Sequence, residues 1–206
     1  MSSEEYILKQ IKQIEEQLIK QPEDAELIHD LGVGYHLIGN YQVAVIQIER
    51  AIKLSPSNKT YLFNLGNALA ESEEYQKAIE IYYRVLDLDP SHIPALNNLA
   101  DCYEKTGSGD KAFEIFDYIT RISPDNALSF FNLGNFLLRA NRHIEAVKCY
   151  RKAIETEPDF TDAYHNISWI LTEAKAYEKA KEYALKGLET DPENEDLIKL
   201  LREIRN

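Results

Sequence analysis

Histidine is the side chain most often asked to bind a metal or carry a proton, and this chain has five: His29, His36, His92, His143 and His165. His29 and His36 are seven residues apart, about 10.5 Å along a helix axis. Metal–nitrogen bonds of ~2.0–2.1 Å cannot bring both to one ion. Glu26 and Asp30 beside His29 would make a weak site at best, so a solvated face is the better reading and no metal or cofactor is expected. No spacing sets a serine or cysteine beside a histidine and an acid, which leaves nucleophilic catalysis without an argument. Gly107-Ser108-Gly109-Asp110-Lys111 has the glycines and lysine of a phosphate loop. Such a loop follows a strand, however, and runs on into Lys-Ser/Thr after four intervening residues. Gly32-Val33-Gly34 fails the same test. Cys102 and Cys149 lie far apart without ligand-type neighbours and read as two reduced, buried thiols. These residues predict a protein that is not an enzyme.

Charge narrows the partners. Among 206 residues, 23 basic side chains stand against 35 acidic ones, a net −12. Phosphate binding needs Lys and Arg to displace counterions, so nucleic acid and anionic membrane surfaces are not expected partners. The start Met-Ser-Ser-Glu-Glu-Tyr lacks a basic region followed by an apolar run. No stretch approaches the ~18 consecutive apolar residues of a membrane span. A cytoplasmic protein without membrane insertion is therefore expected.

The elements that carry these residues follow a ruler. Pro22, Pro56, Pro90, Pro124, Pro158 and Pro192 are spaced 34 residues apart, and Pro94 alone is off the grid. With the proline at position 32, five units run over 25–58, 59–92, 93–126, 127–160 and 161–194. Position 8 is Gly32, Gly66, Ala100, Gly134 and Ser168, and position 20 is Ala44, Ala78, Ala112, Ala146 and Ala180. Apolar residues recur every three or four positions, as in Leu62, Leu65 and Leu69 and in Ile79, Tyr82 and Val85. Each unit is thus two amphipathic helices, A then B, predicted at 25–38/41–54, 59–72/75–88, 93–106/109–122, 127–140/143–156 and 161–174/177–190. Gly39, Gly107-Ser108-Gly109 and Asn141 supply A–B turns. Proline stops helix B through the residue before it, and Ser57, Ser91, Asp125 and Asp159 are the expected caps of the next helix A. Residues 1–24 hold a capping helix with Ile7, Ile11, Ile14 and Leu18 on one face, and 195–206 hold another with Leu197, Ile198, Leu201 and Ile204. The expectation is one elongated all-α domain without a linker.

Small residues at 8 and 20, Pro at 32 and Leu at 7 (Leu31, Leu65, Leu99, Leu133, with Ile167) resemble the tetratricopeptide repeat family. Five copies agree in register over residues 25–194. The resemblance implies a right-handed α-solenoid whose A helices line a concave groove. Repeat five departs most, with Ser168, Ala184 and Gly187 where the family favours Gly, an aromatic and Ala, and looser packing is expected there.

The resemblance also implies that positions 2, 5, 6, 9, 12 and 13 of helix A face the groove. Position 6 is Asp30, Asn64, Asn98, Asn132 and Asn166; position 9 is Val33, Asn67, Asp101, Asn135 and Trp169; position 5 is His29, Phe63, Asn97, Phe131 and His165. Asn costs a helix roughly half a kcal/mol relative to Ala, so four copies at one position ask for a reason. One reading is a ladder of amides gripping the backbone of an extended peptide, similar to that of O-linked N-acetylglucosamine transferases. The other is that Asn at 6 and 9 is a habit of the repeat; both stay open. Under the ladder, replacing Asn98 and Asn132 by Ala costs peptide affinity and slightly helps the helices. Phe63, Phe131 and Trp169 would mark an exposed binding surface. The carboxylate clamp of this family does not fit, because Phe63, Leu128 and Asn132 stand where it needs basic groups. The lining is acidic, with Glu26, Asp30, Glu71, Asp101, Glu104, Asp162 and Glu173 against Lys105 and Arg139. A neutral or basic extended segment of a protein is the expected ligand. The function expected is a scaffold that binds such a peptide. The alternative is a self-assembling scaffold, a homo-oligomer joined through its terminal helices or convex face.

Overall fold

The computed structural model describes residues 3–204, so residues 1, 2, 205 and 206 of the two expected caps lie outside the described residues. Among the described residues there are twelve α-helices and no strand. Helix α1 is Ser3–Leu18 and α12 is Glu195–Ile204. Between them lie five A/B pairs. They are α2 Ala25–Leu37 with α3 Tyr41–Leu54, α4 Lys59–Glu71 with α5 Tyr75–Leu88, and α6 Ile93–Lys105 with α7 Gly109–Ile122. The last two are α8 Ala127–Arg139 with α9 His143–Thr156, and α10 Thr161–Glu173 with α11 Tyr177–Thr190. Every B helix has its predicted limits, and every A helix ends one residue early. No helix among the described residues is long and apolar enough to cross a membrane.

The early stop has one cause in all five repeats. Gly39, Glu73, Gly107, Asn141 and Lys175 have φ of 76°, 62°, 77°, 58° and 58°. The amide after each bonds back to the third-last residue of helix A, as Asn40 N–H does to the Tyr35 carbonyl at 2.9 Å and Ala176 N–H to the Leu171 carbonyl at 2.8 Å. This is a Schellman motif. Glycine takes this backbone freely, whereas Glu73 and Lys175 do not.

The B–A turns correct the expected caps. The amides of Asp24, Asn58, His92, Asn126, Phe160 and Asn194 bond to the carbonyls of Gln21, Ser55, Asp89, Ser123, Glu157 and Asp191. Each proline thus occupies the second position of a four-residue turn, where its fixed φ fits. The cap falls two residues after the proline rather than one. Asn58 Oδ1 accepts from the amides of Thr60 and Tyr61, and Asp24 Oδ1 from those of Glu26 and Leu27. Ser57, Ser91, Asp125 and Asp159 are turn residues instead.

The contacts fall into two units, Met1–Ile115 and Phe116–Asn206, and the boundary lies inside α7. In the first unit, α2, α4 and α6 are successive neighbours, with α3 packed between α2 and α4 and α5 between α4 and α6; α1 packs on α2. In the second unit, α9 packs between α8 and α10, and α11 between α10 and α12.

Small residues decide how closely A and B approach. All five position-20 alanines are fully buried. A Cβ on Gly66 would lie 2.5 Å from Cε1 of Tyr82, and one on Gly134 2.6 Å from Cε1 of Tyr150. Repeat five is not loose, as its departures suggested. Ser168 and Ala184 are fully buried, and a Cβ on Gly187 would lie 2.6 Å from Leu197 of α12. The larger residue at position 8 coincides with a smaller one at position 24, and the missing methyl of Gly187 is space that α12 fills.

Candidate functional site

The asparagines of positions 6 and 9 meet across successive repeats. Asn98 Nδ2 donates to Asn67 Oδ1 at 2.8 Å in the first unit, and Asn166 Nδ2 donates to Asn135 Oδ1 at 3.1 Å in the second. The same oxygens accept a tyrosine hydroxyl from helix B, Tyr82 onto Asn67 at 2.9 Å and Tyr150 onto Asn135 at 2.8 Å. Each half-buried cluster therefore ties one A helix to its own B helix and to the next A helix. Burial raises both phenols well above the usual tyrosine range, opposed in part by the nearby amides of Asn98 and Asn166.

Repeat one has Val33 at position 9 and makes the connection differently. Asn64 Nδ2 lies 2.9 Å from His29 Nε2, while His29 Nδ1 lies 3.1 Å from Asp30 Oδ1. An amide donor on Nε2 leaves the proton on Nδ1, facing the carboxylate. His29 is 7% exposed and stacks on Tyr61 with ring centroids 4.3 Å apart. It belongs to the seam between repeats one and two rather than to an open face.

Phe63 and Phe131 are half-buried too, where exposed rings were expected. Phe63 packs against His92 and Tyr82 at 5.0 and 6.3 Å, and Phe131 against Phe160 and Tyr150 at 4.9 and 5.6 Å. Both plug the junction between their own helix B and the residue that starts the next helix A. Trp169 stands apart at 39% exposure. Asp101 and Arg139 are exposed, and Asn132 is half-buried at the position shared with Asn64, Asn98 and Asn166.

In the first unit the cluster opens onto a pocket of about 510 Å³ bounded by Asn67, Glu71, Tyr82, Asn98, Asp101 and Lys105. Hydrogen-bond accounting shows what it can offer. Asn67 uses its oxygen twice and its Nδ2 not at all; Asn98 uses its Nδ2 and leaves Oδ1 uncommitted. The pair presents the Asn67 amino group as donor and Asn98 Oδ1 as acceptor at the pocket. In the second unit Asn135 likewise keeps its Nδ2, while Asn166 Oδ1 faces His165 Nδ1 at 3.3 Å.

The tyrosines of position 24 were missed by sequence reasoning, which placed Tyr82 only in an apolar stripe. A signal was there. Phe63-Asn64-Leu65-Gly66-Asn67 and Phe131-Asn132-Leu133-Gly134-Asn135 are the same five residues, and only those two repeats carry Tyr at position 24.

Antiparallel helix pairs repeating every 34 residues, joined by side-chain bonds across the repeats, define a helical repeat protein of the solenoid class. The chain belongs to the tetratricopeptide repeat family: four family profiles, each described as tetratricopeptide repeat, match residues 38–93, 69–129, 127–160 and 161–194. No curated protein sequence matches it. Among solved structures it is similar to MamA, at 22% identity over 83% of this chain and 93% of that one, with a TM-score of 0.67. A second is YrrB, described as a TPR protein with an unusual peptide-binding site, at 17% identity over 92% and 97% with a TM-score of 0.62. A third is the C-terminal part of a TPR repeat-containing protein from Cytophaga hutchinsonii, at 16% identity over 97% and 80% with a TM-score of 0.79. Membership of this family supports a protein–protein interaction scaffold.

Proposed function

We propose that this protein binds an extended, neutral or basic segment of a partner protein along its A helices, as an adaptor without chemistry of its own. The observation that carries the reading is the uncommitted pair at the pocket of the first unit, Asn67 Nδ2 and Asn98 Oδ1. An amide donor and an amide acceptor on neighbouring A helices can pair with the C=O and N–H of an extended segment. The amides are already locked by Tyr82 and by each other, so little rotamer entropy is lost on binding. Glu71 and Asp101 on the same pocket disfavour acidic segments. Exposed Trp169 in the second unit would choose side chains rather than hold backbone. The peptide-binding description of YrrB is in keeping with this use of the fold.

The test is an immobilised array of twelve-residue peptides graded in charge, followed by calorimetry on the best binders. Basic and neutral peptides should be retained and acidic ones lost. Glu71→Lys, an exposed change that leaves the amide cluster intact, should weaken the basic binders several-fold without moving the melting temperature. Retention of acidic peptides, or indifference to Glu71→Lys, overturns the reading.

A further inference from the structure

We propose that two copies of this chain associate through a second surface, in which Ile19 of one copy seats against the outer face of α9 in another. Register comparison exposes the receiving surface. Position 18 is Gln42, Gln76, Asp110 and Glu178 in the other repeats but Ile144 in the fourth. Position 22 is Ile46, Glu80, Glu114 and Glu182 elsewhere but Lys148 here, and position 25 is Glu49, Tyr83, Asp117 and Leu185 elsewhere but Arg151 here. No other repeat places a basic residue at position 22 or 25. The fourth helix B thus turns an apolar and basic face outward in a chain of net charge −12. That face is concave. Ile144, Val147, Lys148 and Arg151 of α9, with Ile170, Leu171 and one acid, Glu173, of α10, bound a mostly apolar pocket of about 610 Å³, whose two bases outnumber its acid. Lys148 and Arg151 are exposed, and among the described residues neither is within ion-pair distance of a carboxylate, although Lys148 is near enough to Glu145 to help lower its pKa.

The same chain carries a matching knob. Among the described residues, Ile19 and Ile144 are the most exposed large apolar side chains, at 82% and 77%. Ile19 lies just beyond the last turn of α1, and the acids near it, Glu15, Glu16 and Glu23, outnumber the one base, Lys20. Burying one exposed isoleucine in the other's pocket removes both from water, and Glu16 and Glu23 reach the basic rim. Surfaces of opposite charge also disfavour the like-to-like pairings this acidic chain would otherwise face. The two surfaces differ, so the contact is heterologous and association need not stop at a dimer. It is also small. A contact below ~1,200 Å² belongs to the weak, transient class.

The experiment is sedimentation equilibrium of the full chain up to about 1 mM, because a contact of this size forms only at high concentration. The expected result is a weight-average mass that rises from the 23.8 kDa monomer to at least twice that value. Ile144→Asp and Ile19→Asp should each abolish the rise; both sites are exposed, so circular dichroism should find the fold unchanged. Lys148→Glu with Arg151→Glu should abolish it as well, and adding Glu16→Lys with Glu23→Lys should restore it while returning the net charge to −12. A constant monomer mass, association that survives Ile144→Asp, or failure of the charge exchange to restore it overturns the proposal.

Discussion

The carboxamide of Asn98 donates to Oδ1 of Asn67 at 2.8 Å, and that same oxygen accepts a hydrogen bond from the Tyr82 hydroxyl at 2.9 Å. One acceptor atom therefore joins α4 to its own helix B and to the next helix A. This arrangement makes the register of three helices depend on one side chain, and it reverses the sign of a simple expectation. On helix propensity alone, Ala should be better than Asn at every rung.

Asn67→Ala is expected to destabilise. It leaves the Tyr82 hydroxyl and the Asn98 amide without their acceptor in a half-buried site, a loss of about 1–3 kcal/mol, against a propensity gain of roughly half a kcal/mol. The melting temperature should fall by about 2–4 °C per kcal/mol for a chain of this size. Asn98→Ala should cost less, since the Tyr82 bond to Asn67 survives. Calorimetric melting of the two variants measures both; a rise in either melting temperature would show that propensity outweighs the cluster.

Glu73 and Lys175 hold left-handed backbone, φ 62° and 58°, at the position that Gly39 and Gly107 fill in repeats one and three. A side chain there costs about 1–2 kcal/mol. Glycine recovers most of this and loses ~0.5–1 kcal/mol through the freer unfolded chain. Glu73→Gly and Lys175→Gly should each raise the urea midpoint slightly with an unchanged denaturant slope. Gly107→Ala, at φ 77° with open space around its Cβ position, should lower it for backbone reasons alone.

Closely packed small residues should resist enlargement. Ala112 is fully buried at position 20, and the Gly66 Cβ site lies 2.5 Å from the Tyr82 ring. Ala112→Leu and Gly66→Ala each overfill an A–B contact, at a cost of about 1–3 kcal/mol. Enlarging Gly39, where an added Cβ would meet nothing within 4 Å beyond its chain neighbours, tests the backbone and not the packing. Equilibrium urea unfolding separates the two kinds of site.

Helix limits were legible because spacing carries them: a proline every 34 residues and an alanine at position 20 phase both helices in every repeat. The A–B turns were only half legible. Gly39 and Gly107 announce a left-handed residue, but Glu73 and Lys175 adopt the same backbone because five-fold repetition of the packed pair imposes it. The caps slipped by one residue because proline was read as a helix stop, whereas it is the second residue of a turn that has to close before the cap. At the candidate site the sequence shows the asparagines but not their partners, Asn98 on Asn67 and Asn166 on Asn135. Amides placed for a ligand also face each other, a distance no single repeat contains. Tyr82 and Tyr150 were hidden because a tyrosine in an apolar stripe looks like core until its hydroxyl is given a partner.

Those two hydroxyls predict how the fold responds to alkali. Burial raises the Tyr82 and Tyr150 phenols above the ordinary tyrosine value of about 10. The sign follows from linkage. In the unfolded chain these phenols lose their protons first, so above about pH 10 deprotonation pulls the equilibrium toward unfolding. The contribution of both groups is complete below that pH and drains away as pH rises toward their folded values. Tyr83 adds to the same limb, pushed up to about 12 by burial and its bond to Tyr103. Tyr82→Phe with Tyr150→Phe keeps the rings, as Phe116 does at the same position in repeat three. At neutral pH the pair should cost about 0.5–1.5 kcal/mol for each hydroxyl bond lost. Between about pH 10 and 12 the wild type should lose stability faster than the variant, and the two denaturation curves should converge. Urea titrations across that range, followed by circular dichroism, measure the gap. A gap that stays constant with pH would mean that the hydroxyls ionise alike in the folded and unfolded chains, and that Asn67 and Asn135 do not hold their protons in place.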